Sequence, residues 1–212
     1  MKKLTTLALA ATVSIAAANS FAEEEPTAGL LGKNYLGATY TYADINGGDL
    51  DDFGHGDRYG VDWNMKLSKR MDFTLGWERD RYVNDNLNSL ELERDNFYAG
   101  VTLIMRPDKN LKPYLSGKVI LQEKRISSDL PGGDDDEFNV GFAASTGLEW
   151  SIGKRLFTNV GLNYKSVDSF DDLYVNIDVG LRLFKRMHLV LGFDYDVEDE
   201  SQYTSLGLIF EI

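Results

Sequence analysis

From Tyr35 to Ile212, apolar and polar residues alternate in ten successive runs. The clearest is Leu173-Tyr174-Val175-Asn176-Ile177-Asp178-Val179-Gly180-Leu181-Arg182-Leu183, in which every odd position is Leu, Val or Ile and the even positions include Asn, Asp, Gly and Arg. Successive side chains of a strand point to opposite faces, so this run has one wholly apolar face and one polar face. Asp178 and Arg182 fall on the face that a soluble barrel would fill with hydrophobic side chains. Apolar outside and charged inside is the pattern of a β-barrel in a membrane.

The runs lie near residues 35–43, 58–67, 71–81, 93–105, 112–123, 138–150, 156–166, 173–183, 188–197 and 202–212. Each is close to the ~9–11 residues that a tilted strand needs to cross a bilayer. The connections alternate in kind. Short basic turns, Ser68-Lys69-Arg70, Arg106–Leu111, Gly153-Lys154-Arg155 and Lys185-Arg186, are interleaved with longer polar loops near 45–57, 82–92, 125–137, 167–172 and 197–201. Short turns on the periplasmic side and long loops outside are the usual asymmetry. The predicted fold is all-β: a transmembrane antiparallel up-and-down barrel of about ten strands, both ends periplasmic, with eight strands as the alternative because the run 112–123 is less regular. A Lys-Arg turn followed by alternating residues recurs at 69–77, 154–162 and 185–193, as a repeated hairpin module would. Outward aromatics (Tyr42, Tyr59, Trp77, Phe97, Phe138, Tyr164, Tyr195) recur at the external ends, as an interfacial girdle does.

The first residues have a secretory layout: Lys2 and Lys3, an apolar stretch over Leu4–Ala18, then small residues at Ser20 and Ala22. The expected division is a leader over 1–22, a short periplasmic lead over 23–34 and the barrel over 35–212. Mean hydropathy is −0.29, which does not argue against a membrane barrel, since half of its strand residues face inward. The chain has no cysteine, which excludes disulfide and thiolate chemistry. Removing the two leader lysines from a chain of net charge −12 leaves about −14. Such acidity argues against nucleic acid as a partner and suits a surface that gathers cations.

The C-terminal Ser205-x-Gly207-x-x-Phe210-x-Ile212 resembles the β-signal by which outer-membrane barrels are recognised for assembly, with Ile in place of the commoner final Phe. The last strand must close on the first, so a pattern on that edge is a sensible tag. Taken with the alternation, the chain resembles small bacterial outer-membrane barrels of the OmpA-like or opacity-porin type. That resemblance implies an outer-membrane location, a narrow or closed lumen and no catalytic site. Its expected partners are outer-membrane lipid, lipopolysaccharide and the barrel-assembly machinery, with the barrel a monomer.

Inward parity assigns Arg58, Asp62, Lys66, Asp72, Glu78, Lys118, Glu149, Lys165, Asp178, Arg182, Asp194, Asp196 and Glu211 to the lumen, together with a glycine on most strands. Buried charges persist when paired or wet. They can therefore form a structural ion-pair network or line a narrow, cation-preferring water path, with the glycines making room for long Lys and Arg chains. Two acidic loop clusters, Asp44, Asn46, Asp49, Asp51 and Asp52, and Asp134, Asp135 and Asp136, have the oxygen chemistry for Ca²⁺ or simply face lipopolysaccharide. No other cofactor is expected. The only histidines, His55 and His188, fall at opposite ends of the barrel and cannot share one site. No nucleophile, phosphate loop or Cys/His metal motif accompanies them, so an enzyme is not expected. Two roles remain: a narrow porin-like channel or structural barrel, and a closed surface-interaction barrel working through its acidic loops.

Overall fold

A computed structural model describes residues 28–46, 53–84, 91–127, 135–168 and 170–212. Its strands are β1 (Tyr35–Asp44), β2 (His55–Ser68), β3 (Met71–Val83), β4 (Glu91–Ile104), β5 (Leu111–Ser127), β6 (Asp135–Ile152), β7 (Leu156–Val167), β8 (Phe170–Phe184), β9 (Met187–Asp196) and β10 (Gln202–Glu211). Each pairs antiparallel with its sequence neighbours, and β1 pairs with β10, so the sheet closes on itself without an edge. The eight-strand alternative is excluded. The irregular run is part of β5, which with β6 forms the tallest hairpin, 17 and 18 residues long. Pro113 and Gly117 occupy outward positions on β5 and blunt its alternation without ending the strand.

The alternation places side chains as expected. Leu36, Val61, Leu75, Val101, Val119, Val140, Val160, Val179, Leu191 and Leu208, one per strand, are exposed on the outer face. An apolar surface continuous around the whole barrel suits lipid, not water. Two bulges near the short turns, at Lys66/Ser68 and Arg182/Phe184, shift the register. The second turns Phe184 outward, where it is 69% exposed.

Several strands run further at the end of the long connections, the expected external end, than the hydrophobic pattern marks. β3 reaches Val83 and β4 starts at Glu91, with Arg79 and Arg81 on the outer face above Trp77. Arg79 Nη2 lies 2.7 Å from Asp95 Oδ2, Arg81 pairs with Glu91, and Trp77 donates to Asp95 Oδ1 at 3.1 Å. Once the outer face leaves lipid, cross-strand ion pairs replace apolar residues and the strands continue.

Candidate functional site

The lumen is bounded at both ends. At the external end the inward residues Ala43 (β1), Tyr82 (β3), Leu92 (β4) and Tyr203 (β10) meet Ile45 and Phe53 in one buried cluster, with Ile126 (β5) and Tyr174 (β8) packed against it. β8 lies across the closed sheet from β3, so the cluster bridges the lumen. Tyr174 and Tyr203 pack edge to face with ring centroids 5.5 Å apart, and Phe53 and Tyr82 do so at 6.4 Å.

A charged layer lies beneath this cluster. Arg58 pairs with Asp80, whose side chain is 1% exposed, and the Arg58 guanidinium sits 5.5 Å from the Tyr203 ring centre. Arg94 lies 5.7 Å over Tyr82. Lys165 Nζ is 3.3 Å from Glu78 Oε1, and Gln122 donates to Asn96, which donates in turn toward Asp80 and Glu78. A cation over an aromatic face and a hydrogen-bonded pair are what make such buried charges tolerable.

At the other end, residues 28–34 fold into the barrel mouth. Gly29 N–H donates to Ser151 Oγ at 3.0 Å; Leu30 and Leu31 N–H donate to Glu149 Oε2 at 2.7 and 3.1 Å; Gly32 N–H donates to Asp72 Oδ2 at 2.7 Å. In return Lys112 Nζ donates to Leu31 O at 2.7 Å and Asn64 Nδ2 to Lys33 O at 2.8 Å. Lys33 Nζ reaches Glu211 Oε1 at 2.8 Å, where Arg182 Nη2, at 2.8 Å, and His188 Nε2, at 2.6 Å, also converge. Burial pushes the Lys33 ammonium below its ordinary range, and Glu211 partly opposes that. The segment thus uses acids of the lumen as acceptors for main-chain donors that no strand satisfies.

Between the closures lie two adjoining cavities of about 440 and 250 Å³ that share Tyr98, Lys118, Ser145, Asn163 and Asp194 in their walls. Asp62 and Asp178 line the larger. Asp178 accepts from Asn159 and Asn176 at 3.0 and 3.1 Å. Lys118 Nζ stands 4.6 Å over the Tyr98 ring. Asp62 and Asp194 face this space without an ion pair among the described residues.

Most of the lumen charges expected from parity therefore fall in three places. Arg58 and Glu78 join the charged layer; Asp72, Glu149 and Arg182 hold residues 28–34 or their latch; Asp62, Lys118, Asp178 and Asp194 line the cavities. Lys66 sits at the mouth with its side chain exposed, its N–H donating to Asn34 Oδ1 at 2.7 Å. Asp80, Arg94 and Lys112 complete the network and were legible as inward positions of β3, β4 and β5. Several inward glycines make room for aromatic rings and not for the Lys and Arg chains expected. A Cβ added at Gly180 would strike the Phe157 ring, one at Gly76 the Tyr98 ring and one at Gly56 the Tyr82 ring. Among the inward glycines, Gly100 makes way for a lysine, Lys118.

The acidic loop residues do not converge among the described residues. Asp44 is exposed on β1 and Asp136 pairs with Arg125 on β5 at 3.1 Å. β1 and β6 are on opposite sides of the barrel. Asn46 bonds Ser201 and Glu200 beside β10. Asp49, Asp51, Asp52 and Asp134 lie outside the described residues, as does the side chain of Asp135. The one acidic trio with metal-like spacing among the described residues is Asp172, Asp196 and Asp199, with carboxylate oxygens within 4.8 Å of one another. Asp196 there accepts the N–H groups of Glu198 and Asp199, which closes the β9–β10 turn. His55 stacks on Tyr42 at the external end, and His188 is fully buried at the other. In the stretch that resembles a β-signal, Gly207 faces inward and Phe210 and Ile212 outward, with Phe210 opposite Leu36 in the β1–β10 seam.

The family model for the outer membrane protein beta-barrel domain matches residues 5–200. No curated protein sequence matches the chain. Among solved structures, Neisserial surface protein A is 16% identical over 84% of this chain and 97% of that one, with a TM-score of 0.47. The N-terminal β-barrel domain of Pseudomonas aeruginosa OprF is 13% identical over 85% and 99%, TM-score 0.43. Ail, the attachment invasion locus protein of Yersinia pestis, is 8% identical over 86% and 99%, TM-score 0.46. At these identities the likeness is one of barrel form.

Proposed function

Because this chain belongs to the outer membrane protein beta-barrel domain family, we propose that it acts as a closed barrel anchored in the outer membrane, meeting other molecules through its external hairpins and not through its lumen. The double closure carries this reading: an aromatic and aliphatic cluster spans the external end, and residues 28–34 are bound into the periplasmic mouth by lumen acids. A solute path would have to displace both. The leader over 1–22 is removed on export in this reading, as its secretory layout supports. The acidic external loops, including Asp44 and Asp136, face lipopolysaccharide or a cationic partner, with Ca²⁺ as a bridging ion. The β-signal at Gly207, Phe210 and Ile212 serves the assembly machinery.

The test is single-channel recording of the refolded protein in planar bilayers. Silence from protein shown to be folded is expected. A second reading has its own observation: Asp62, Asp178 and Asp194 line the larger cavity, and an acid-lined lumen favours cations. It requires reproducible cation-selective steps from the unaltered chain, diminished by Asp194→Asn. Such steps would overturn the closed-barrel reading.

A further inference from the structure

A closed lumen leaves the repeated Lys-Arg turns unexplained. Lys69-Arg70, Lys154-Arg155 and Lys185-Arg186 are all exposed and occupy equivalent places after β2, β6 and β8. The fourth short turn adds Arg106 and Lys109, and Asp108 is the single acid in the four. Each turn starts where the outward apolar face ends: Leu67 precedes the first, Met105 the second and Phe184 the last, all exposed. The side chains of Lys69, Arg70, Arg155, Lys185 and Arg186 make no hydrogen bond or ion pair among the described residues. The acids of this end are spent inside, Glu211 on Lys33, Arg182 and His188, and Glu149 on Lys112. The external end is built the other way, since its outward arginines are matched by acids such as Asp95 and Glu91.

Lys69, Arg70, Arg155, Lys185 and Arg186, unmatched at the rim of an apolar band, stand at the height of phospholipid phosphates. Lys and Arg stems can lie along apolar surface with their charge in the headgroup layer, and the Arg fork fits a phosphate. We propose that the four basic turns form a collar that binds the headgroups of anionic phospholipid in the periplasmic leaflet, and so sets the depth and direction of the barrel in the bilayer.

Tryptophans already report on this surface. Trp63 and Trp150 lie on outward positions near the collar, and Trp77 lies toward the external end. The protein is refolded in phosphatidylcholine vesicles containing brominated phosphatidylglycerol or brominated phosphatidylcholine, and quenching gives the relative affinity of the two lipids. A cation near an anionic surface is worth roughly a fivefold preference, screened within a Debye length. The expected result is a preference for phosphatidylglycerol of at least fivefold at low salt that falls in 0.5 M salt (about a 4 Å screening length). It should vanish when Lys69, Arg70, Lys154, Arg155, Lys185 and Arg186 are all changed to Gln, and persist when the six are exchanged Lys→Arg and Arg→Lys. Should the six-fold variant fail to fold, Lys185→Gln with Arg186→Gln alone, read against the salt dependence of the unaltered chain, decides the matter. Equal affinity for the two lipids, a preference indifferent to salt, or one retained by the folded Gln variant would overturn the proposal.

Discussion

Glu149→Gln tests whether residues 28–34 are a bound closure or a passive neighbour of the barrel. Glu149 Oε2 accepts from Leu30 and Leu31 N–H at 2.7 and 3.1 Å, and its Oε1 lies 3.5 Å from Lys112 Nζ, with both side chains at least 94% shielded from solvent. Gln presents one acceptor and an NH₂ group to a site that offers only donors. One charge-assisted hydrogen bond is thereby lost outright, at a cost of about 1.5–3 kcal/mol. That corresponds to a roughly ten- to hundredfold larger open population of the segment. The chain contains no cysteine, so Ser145→Cys, on the wall shared by both cavities, makes a single lumen-facing probe. Where reclosing is fast, its modification by a charged thiol reagent follows the open population. We expect slow labelling in the Ser145→Cys barrel and a rate ten- to hundredfold higher when Glu149→Gln is added. Ser151→Ala, which removes only the Gly29 bond, should raise it a few-fold. The reasoning fails if the Ser145→Cys barrel labels as fast as its unfolded chain, or if Glu149→Gln leaves the rate within about twofold.

Three further outcomes follow from the same contacts. Asp80→Ala leaves the half-buried Arg58 cation without its partner, so urea unfolding in lipid vesicles should show a loss of about 1.5–3 kcal/mol, whereas the paired change Arg58→Met with Asp80→Leu should recover most of it. Gly180→Ala would set a methyl group against the Phe157 ring, costing about 1–3 kcal/mol by the same measurement, and Phe157→Leu in the same chain should reduce that loss. Phe210→Ala alters an outward residue of the β1–β10 seam. It should slow folding into vesicles that contain the assembly machinery more than into vesicles that lack it, as followed by heat-modifiable gel mobility; an equal effect in both would remove the β-signal assignment.

What the sequence makes legible here depends on which physical constraint each part answers to. Lipid demands an apolar side chain at every second position, which is why Leu173–Leu183 announces β8 and why ten strands can be counted without coordinates. The constraint ends where lipid ends. Above Trp77 the outward positions of β3 are Arg79 and Arg81, so the hydrophobic pattern stops while the hydrogen-bonded ladder with β4 continues to Val83. The closure at the long-loop end had a usable signal: Ala43, Tyr82, Leu92 and Tyr203 are apolar or aromatic residues at inward parity, gathered at the same ends of β1, β3, β4 and β10. The inward glycines carried a half-signal, because parity finds them but cannot say that rings from neighbouring strands fill the space they leave. The closure by residues 28–34 had none. Gly29, Leu30, Leu31 and Gly32 show no alternation, and what binds them is a row of main-chain N–H groups directed at Ser151, Glu149 and Asp72, far away in sequence. Every residue but proline carries that donor. A closure built from main-chain donors is therefore written in the positions of its acceptors, and those positions are set by the register of a barrel that must already be closed.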